Sequence, residues 1–321
     1  MSLAGTKIRR VAVVALPLLV AGVIGLHGRS SKAEAPSSAE AAARCATRLS
    51  ASLIGKGASE DLLANPNPQS QVDTMLQSAD FIERFASFLN ASFNDQPGAN
   101  KAEDAAYFLG KYVLQNNLPY KSLFAGQFDV VAGANANDDP TIQMNPDGLG
   151  YFRSRAWLVR YAGNEPAGYK ISTGYRMMQN MLGLKLIAST NAPGADVSAT
   201  GRQAAPCNGC HYQGWYALDN VAKVLSKRKG TGNNMTFTPP SEGPQQAFDT
   251  TINSDADIVN TVLGSTAFKF NTCRLAFKFL YGRAENVCES KVFDACVDEF
   301  TAKGTIQSAI AVVAKDQSFC Q

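Results

Sequence analysis

Five consecutive residues, Cys207-Asn208-Gly209-Cys210-His211, constrain this chain more than any other feature. Two thiols three positions apart reach the two vinyl groups of one haem and form thioethers, and the residue that follows projects an imidazole to the iron from the same face. Asn208 and Gly209 suit the tight turn between the sulfurs. The spacing therefore predicts one haem c per chain, bound covalently at Cys207 and Cys210. His211 is the axial iron ligand through Nε2, and its Nδ1 is expected on a backbone carbonyl near Pro206 or beyond.

Three plainer readings compete with haem. A redox-active dithiol would use the same cysteine spacing but prefers a βαβ context, which the pattern here lacks. A zinc site needs a fourth ligand. A simple disulfide is the third. The chain has only two histidines, and His27 lies in the segment read below as an export signal. If that segment is removed, His211 is the sole imidazole and bis-histidine ligation is excluded. The distal ligand is then Met235, in the Pro-containing loop after the motif, or one of Met177, Met178 and Met181, or none. Methionine ligation would raise the reduction potential relative to bis-histidine. Trp215 and Tyr216, with Leu218, are expected to wall the haem pocket, and a dry wall would favour the less charged ferrous state.

The N-terminus supplies the compartment. Lys7, Arg9 and Arg10 precede an apolar run over residues 11–26, and Ala33-Glu34-Ala35 offers a small-x-small cleavage pattern. Basic, apolar and small-residue regions in that order make a secretory signal peptide. The alternative is an uncleaved anchor, although the run is short for a span of about 20 residues. Export places the protein in the periplasm or cell envelope, with membrane contact only through an uncleaved N-terminus. Ala43-Arg44 ahead of Cys45 does not fit a lipobox.

An oxidising compartment makes disulfides of most remaining cysteines. Of seven cysteines, two belong to the motif. Cys273, Cys288, Cys296 and Cys320 form an even set, and four cysteines allow three pairings. Cys273–Cys288 and Cys296–Cys320 are expected, each tying a helix to its neighbouring loop. Cys45 is left over: free, paired between chains, or displacing one of those bonds.

Charge and motifs exclude several classes. The formal net charge is +3, and no dense basic stripe exists to neutralise phosphates, so nucleic acid is not an expected partner. Lys227-Arg228-Lys229 reads as a solvated helix end rather than a docking site, with steering of an acidic redox partner as the alternative. No phosphate-cradling loop occurs. With its single mature histidine on iron, the chain has no Ser/His/Asp set, and no catalytic set is identifiable beyond the haem.

The organisation is expected to be mainly α, a set of helical domains around a cytochrome-c-like haem-binding segment. After the signal (1–35) come an N-terminal helical domain (36–131), a middle region of loop and helices (132–205), the haem segment (206–244) and a C-terminal helical domain with disulfides (245–321). Met75, Leu76, Phe81, Ile82, Phe85, Phe88 and Leu89, together with Asp73, recur at three- and four-residue spacing. Helices are expected over 103–116, 151–161, 175–188, 218–228, 252–263, 267–281, 291–302 and 306–315. Residues 65–68 (Asn-Pro-Asn-Pro), 94–100, 132–150 and 233–244 read as turns and loops. Asp138, Asp139 and Asp147 lack calcium-loop spacing, so 132–150 reads as a plain surface loop.

Two further stretches carry a resemblance. Residues 273–283, Cys-Arg-Leu-Ala-Phe-Lys-Phe-Leu-Tyr-Gly-Arg, followed by Cys288, Phe300 and Phe319, resemble the C-terminal domain of the planctomycete-type secreted c-type cytochromes. Residues 72–78 and 81–85 are similar to the N-terminal helical domain of that family, and the haem motif falls between, as it does there. The resemblance implies export, haem and a helical fold, and no established reaction. The function expected is one-electron transfer in the cell envelope, with a redox protein or a small electron donor or acceptor as partner. Two alternatives stay open: a haem enzyme or small-ligand sensor with an open iron site, for which Arg176 or Arg202 would serve as distal donor, and an envelope scaffold held together by haem.

Overall fold

Serine and threonine set where most helices begin. Ser37, Ser78, Ser254 and Ser265 each accept the backbone N–H three residues on, from Glu40, Phe81, Asp257 and Phe268. Such a cap satisfies a donor that the helix itself leaves open, at about 1 kcal/mol each. The computed structural model describes residues 37–135, 137–161, 171–186, 194–230, 236–240 and 242–321. The expected export segment and Met235 lie outside them.

The helices, in chain order, are α1 (Ser38–Leu53), α2 (Glu60–Ala64), α3 (Val72–Met75), α4 (Ala79–Phe93), α5 (Ala105–Gln115), α6 (Ser122–Ala125), α7 (Arg155–Arg160), α8 (Ile171–Leu182), α9 (Ala199–Gln203), α10 (Leu218–Lys223), α11 (Asp255–Leu263), α12 (Thr266–Tyr281), α13 (Ser290–Lys303) and α14 (Ile306–Lys315). Among the described residues, three small antiparallel hairpins interrupt them. They are β1 (Phe128–Val131) with β2 (Thr141–Met144), β3 (Lys227–Lys229) with β4 (Thr236–Thr238), and β5 (Gln245–Ala247) with β6 (Thr250–Ile252). The fold is mainly α, as the apolar spacing predicts.

The two ends of the described chain share one core. Phe81, Phe85 and Phe88 on α4 meet Phe279 on α12, with ring centroids 5.9, 5.0 and 5.3 Å apart. Edge-on contacts of this kind add to the area they bury. The predicted apolar face is real but divided, because Ser78 caps a new helix at Ala79. Asp73, in the short helix before it, points outward and pairs with Lys315 of α14 at 2.6 Å. Against α5, α4 comes close at Gly110, where a methyl would lie 3.2 Å from Leu89 Cδ1. Asp104, buried at the start of α5, accepts from the amides of Asn90 and Asn94 at 2.7 and 2.8 Å and from the backbone of Gly98. This one carboxylate closes the loop over residues 94–100. Residues 37–321 form a single compact unit, and no helix among the described residues is long and apolar enough to cross a membrane.

Several elements differ from expectation. The polar stretch 132–150 contains β2, which pairs with β1 in the register Val130↔Ile142. Within that stretch Asp138 accepts from Asn135, and Asp139 pairs with Lys101 at 2.6 Å. The helix expected over 218–228 stops at Lys223, and Lys227-Arg228-Lys229 is a strand, Arg228 opposite Phe237. Val224 and Leu225 are buried, so the core takes them whether or not the helix continues. The helix expected over 175–188 runs from Ile171 to Leu182 and ends at Gly183, whose φ of +66° suits glycine. Ile252 belongs to β6, and the β5–β6 turn has positive φ at both Phe248 and Asp249, the geometry of a two-residue hairpin loop.

The disulfides are Cys45–Cys320 and Cys273–Cys296, with Cα atoms 4.7 and 6.0 Å apart. The expected Cys273–Cys288 and Cys296–Cys320 bonds do not form. Cys273 and Cys296 face each other from α12 and α13, both fully buried, whereas Cys288 sits on the exposed turn between those helices. Cys45 on α1 takes Cys320. Two disulfides fit an oxidising compartment.

Candidate functional site

The motif occupies a short connection between α9 and α10. Ser198 caps α9 and accepts from Gly201 N–H at 3.1 Å. Position 201 must be glycine, since a Cβ there would fall 2.1 Å from the Asp196 carbonyl. After Pro206 the chain winds into a π-turn over Gly209–Gln213. Cys210 and His211 both donate their backbone N–H to the Cys207 carbonyl, at 3.2 Å each, which holds the two sulfurs and the imidazole on one turn. Gly214 closes it, and a Cβ there would meet the Gly209 carbonyl at 2.1 Å.

Cys207 and Cys210 are free, the first half-buried and the second exposed. Tyr216 donates its hydroxyl to Cys210 Sγ at 3.4 Å. That bond, with burial second, pushes the Tyr216 phenol up to about 12. Trp215 remains 36% exposed and packs edge-on against Phe248 of the β5–β6 turn, centroids 5.1 Å apart. Of the two expected wall residues, Tyr216 thus touches the motif directly, while Trp215 packs onto the hairpin beside it.

Among the described residues, the His211 ring is held from one side. Its Nδ1 lies 2.6 Å from Oδ2 of Asp219, in the first turn of α10. A carboxylate therefore stands where the sequence reading places a backbone carbonyl. Asp219 is 0% exposed and is fully engaged. Arg202 of α9 reaches it at 2.8 Å from Nη2 and at 3.1 and 3.2 Å from Nε. The Tyr212 hydroxyl donates to it at 3.2 Å. Burial alone would push this carboxyl up. The bonds from Arg202 and His211 outweigh burial and hold it below the usual aspartate value, so it is charged. Arg202, considered from sequence as a distal donor, lies on the Nδ1 side of the imidazole.

The arrangement fixes the imidazole chemically. With a carboxylate as acceptor, Nδ1 is the donor, and Nε2 is the nitrogen left to face a metal. Among the described residues no hydrogen bond engages Nε2. Two free thiols, an imidazole oriented by a charged partner and a turn that gathers all three form a donor set that fits haem c. Residues Cys207 and Cys210 would hold the porphyrin, and His211 its iron.

Met177, Met178 and Met181 are fully buried on α8, which packs against α10 and α12. Arg176, the other distal donor considered, pairs with Asp95 at 3.5 Å. Met235 is outside the described residues. A cleft of about 1010 Å³ lies at β1, α7 and β4, lined by Val130, Asp147, Arg153 and Phe237 among others, and none of the motif residues contributes to it. Its main charge pair, Arg153–Asp255 at 2.7 Å, is already made within the protein.

Asp219 is the residue that sequence reasoning missed. It is the only acidic residue in the stretch 207–223 and falls in the first turn of a helix, where acids are favoured. Nothing in its spacing from His211 marks it as a partner, because the contact depends on the turn at Gly214 and the direction of α10. No protein-family model matches this chain, and no curated protein or solved structure matches it either.

Proposed function

We propose that this chain is an exported mono-haem c-type cytochrome that passes single electrons in the cell envelope, of the planctomycete-type secreted class that its C-terminal stretch resembles. The observation that supports it most is the pairing of the Cys-x-x-Cys-His motif with a buried charged carboxylate on the imidazole Nδ1. A histidine that serves only to pack has no need of a fixed tautomer, whereas a metal-ligating one does.

When bound, the haem supplies the one-electron chemistry. The protein's own contribution is local. Cys207 and Cys210 anchor the group, and the π-turn sets their spacing. Asp219 and Arg202 hold the His211 ring. The exposed face at Cys210 and Trp215 gives a partner access to the site. The basic N-terminal pattern and two disulfides support export.

Expression with a competent haem-attachment system tests the reading. The wild-type protein should show the absorbance of a covalent c-type haem that survives acid–acetone extraction. Cys207→Ser/Cys210→Ser should lose the covalent attachment. His211→Ala should keep the thioethers if it loads at all and change the spectrum of the iron. A wild-type protein that stays colourless under these conditions overturns the proposal.

A further inference from the structure

We infer that Asp219 sets the redox poise of this site by drawing electron density onto the imidazole that faces the iron, so that the haem has a lower reduction potential than the same site with a neutral partner on His211. This rests on the haem reading above and adds a role for a residue outside the motif.

The argument starts from charge. Ferric haem carries one more positive charge than ferrous haem, and a nearby fixed anion favours the more positive state. Asp219 is fully buried, so water screens it little, and although the Arg202 cation offsets part of its field, the carboxylate is the charge that meets the ring. It also acts through the ring. An imidazole whose Nδ1–H is given to a carboxylate is a stronger donor at Nε2 than one bonded to a neutral carbonyl, and a stronger donor stabilises the higher oxidation state. The 2.6 Å separation makes this a short, charge-assisted contact.

Arg202 keeps the device in place. Its guanidinium meets both Asp219 oxygens, and Tyr212 satisfies one of them again. The carboxylate cannot rotate away from His211 without giving up bonds on its other face. A wholly structural acid would be satisfied by Arg202 alone. The added contacts, to His211 and to Tyr212 directly after it, tie it to the motif. Asp219 is thus a positioning residue that acts through His211.

The test is potentiometry on haem-loaded protein, with loading verified by mass. Asp219→Asn should shift the ferric–ferrous equilibrium at least about tenfold toward ferrous, which for a one-electron couple is about 59 mV upward. Asp219→Glu, which keeps the carboxylate, should recover most of the wild-type potential. Proton NMR of the wild type in a diamagnetic ferrous form (with carbon monoxide added where needed) needs no variant. It should show a strongly deshielded His211 Nδ1–H. An Asn variant that loads normally with an unchanged potential overturns the inference, as does an ordinary Nδ1–H resonance in the wild type. Failure of the wild type to gain a porphyrin mass is a different result and overturns the haem reading instead.

Discussion

Cys45 and Cys320 lie 275 positions apart in sequence and are joined by a disulfide, so the first described helix is tied to the last turn of the chain. The same end is held by other contacts. Arg48 of α1 stacks over the rings of Tyr281 and Phe319 and donates to the Gln321 carbonyl at 3.0 Å. A bond that closes so long a loop removes much freedom from the unfolded chain. Cys45→Ser/Cys320→Ser should therefore cost about 2–5 kcal/mol in chemical denaturation. Cys288→Ser should leave stability within about 0.5 kcal/mol, since its side chain is exposed and unpaired. Peptide mapping without reductant should recover Cys45–Cys320 and Cys273–Cys296. Recovery of Cys273–Cys288 would contradict the structure.

Gly214 should be intolerant of any side chain. An added Cβ would fall 2.1 Å from the Gly209 carbonyl, and that oxygen belongs to backbone inside the motif. The turn has to open before it can fit alanine. Gly214→Ala should reduce the yield of haem-loaded protein several-fold while leaving the helical core folded, as read by far-ultraviolet circular dichroism and by haem absorbance per mole of chain. Gly209, which has open space at its Cβ position, is the matched control and should accept alanine with less loss.

The acid side of the stability profile should depend on Glu289. Its carboxylate meets both Nη atoms of Arg283, at 2.7 and 2.8 Å, and the Asn286 backbone N–H at 2.7 Å. Arg283 is the main cause that holds the carboxyl below its ordinary value of 4.5, and the Asn286 bond adds to it against burial. A folded-state value below the unfolded one means the folded state binds its proton less readily. The contribution is therefore complete above about pH 4.5 and is lost as the pH falls through the depressed value. Glu289→Gln should lower the melting temperature at pH 7, and the gap from wild type should narrow below pH 4.5. A constant gap from pH 7 to pH 3 would contradict this.

Much of the helical frame is legible in the residues. Ile306–Lys315 is bounded by Thr305 as cap and Asp316 beyond, and the predicted span 306–315 matches it. Gly282 and Gly304, with φ of 72° and 71°, end α12 and α13 where the apolar pattern stops. The hairpins are less legible, because strands of three or four residues such as Lys227–Lys229 hold too few alternations to show a period. The disulfide partners are invisible for a different reason. They depend on α1 and the final turn meeting across the whole chain, and local spacing says nothing about that. The same holds at the site. The motif residues are contiguous and stand out in the sequence, while Asp219 reaches His211 only after the chain turns at Gly214 and Ala217.

Counting thiols measures the central claim most directly. Cys207, Cys210 and Cys288 are the cysteines outside the two disulfides. If Cys207 and Cys210 carry haem, the matured protein, denatured without reductant and treated with an alkylating reagent, should gain one label, at Cys288, along with the mass of one porphyrin. A colourless protein that gains three labels, at Cys207, Cys210 and Cys288, would contradict the account.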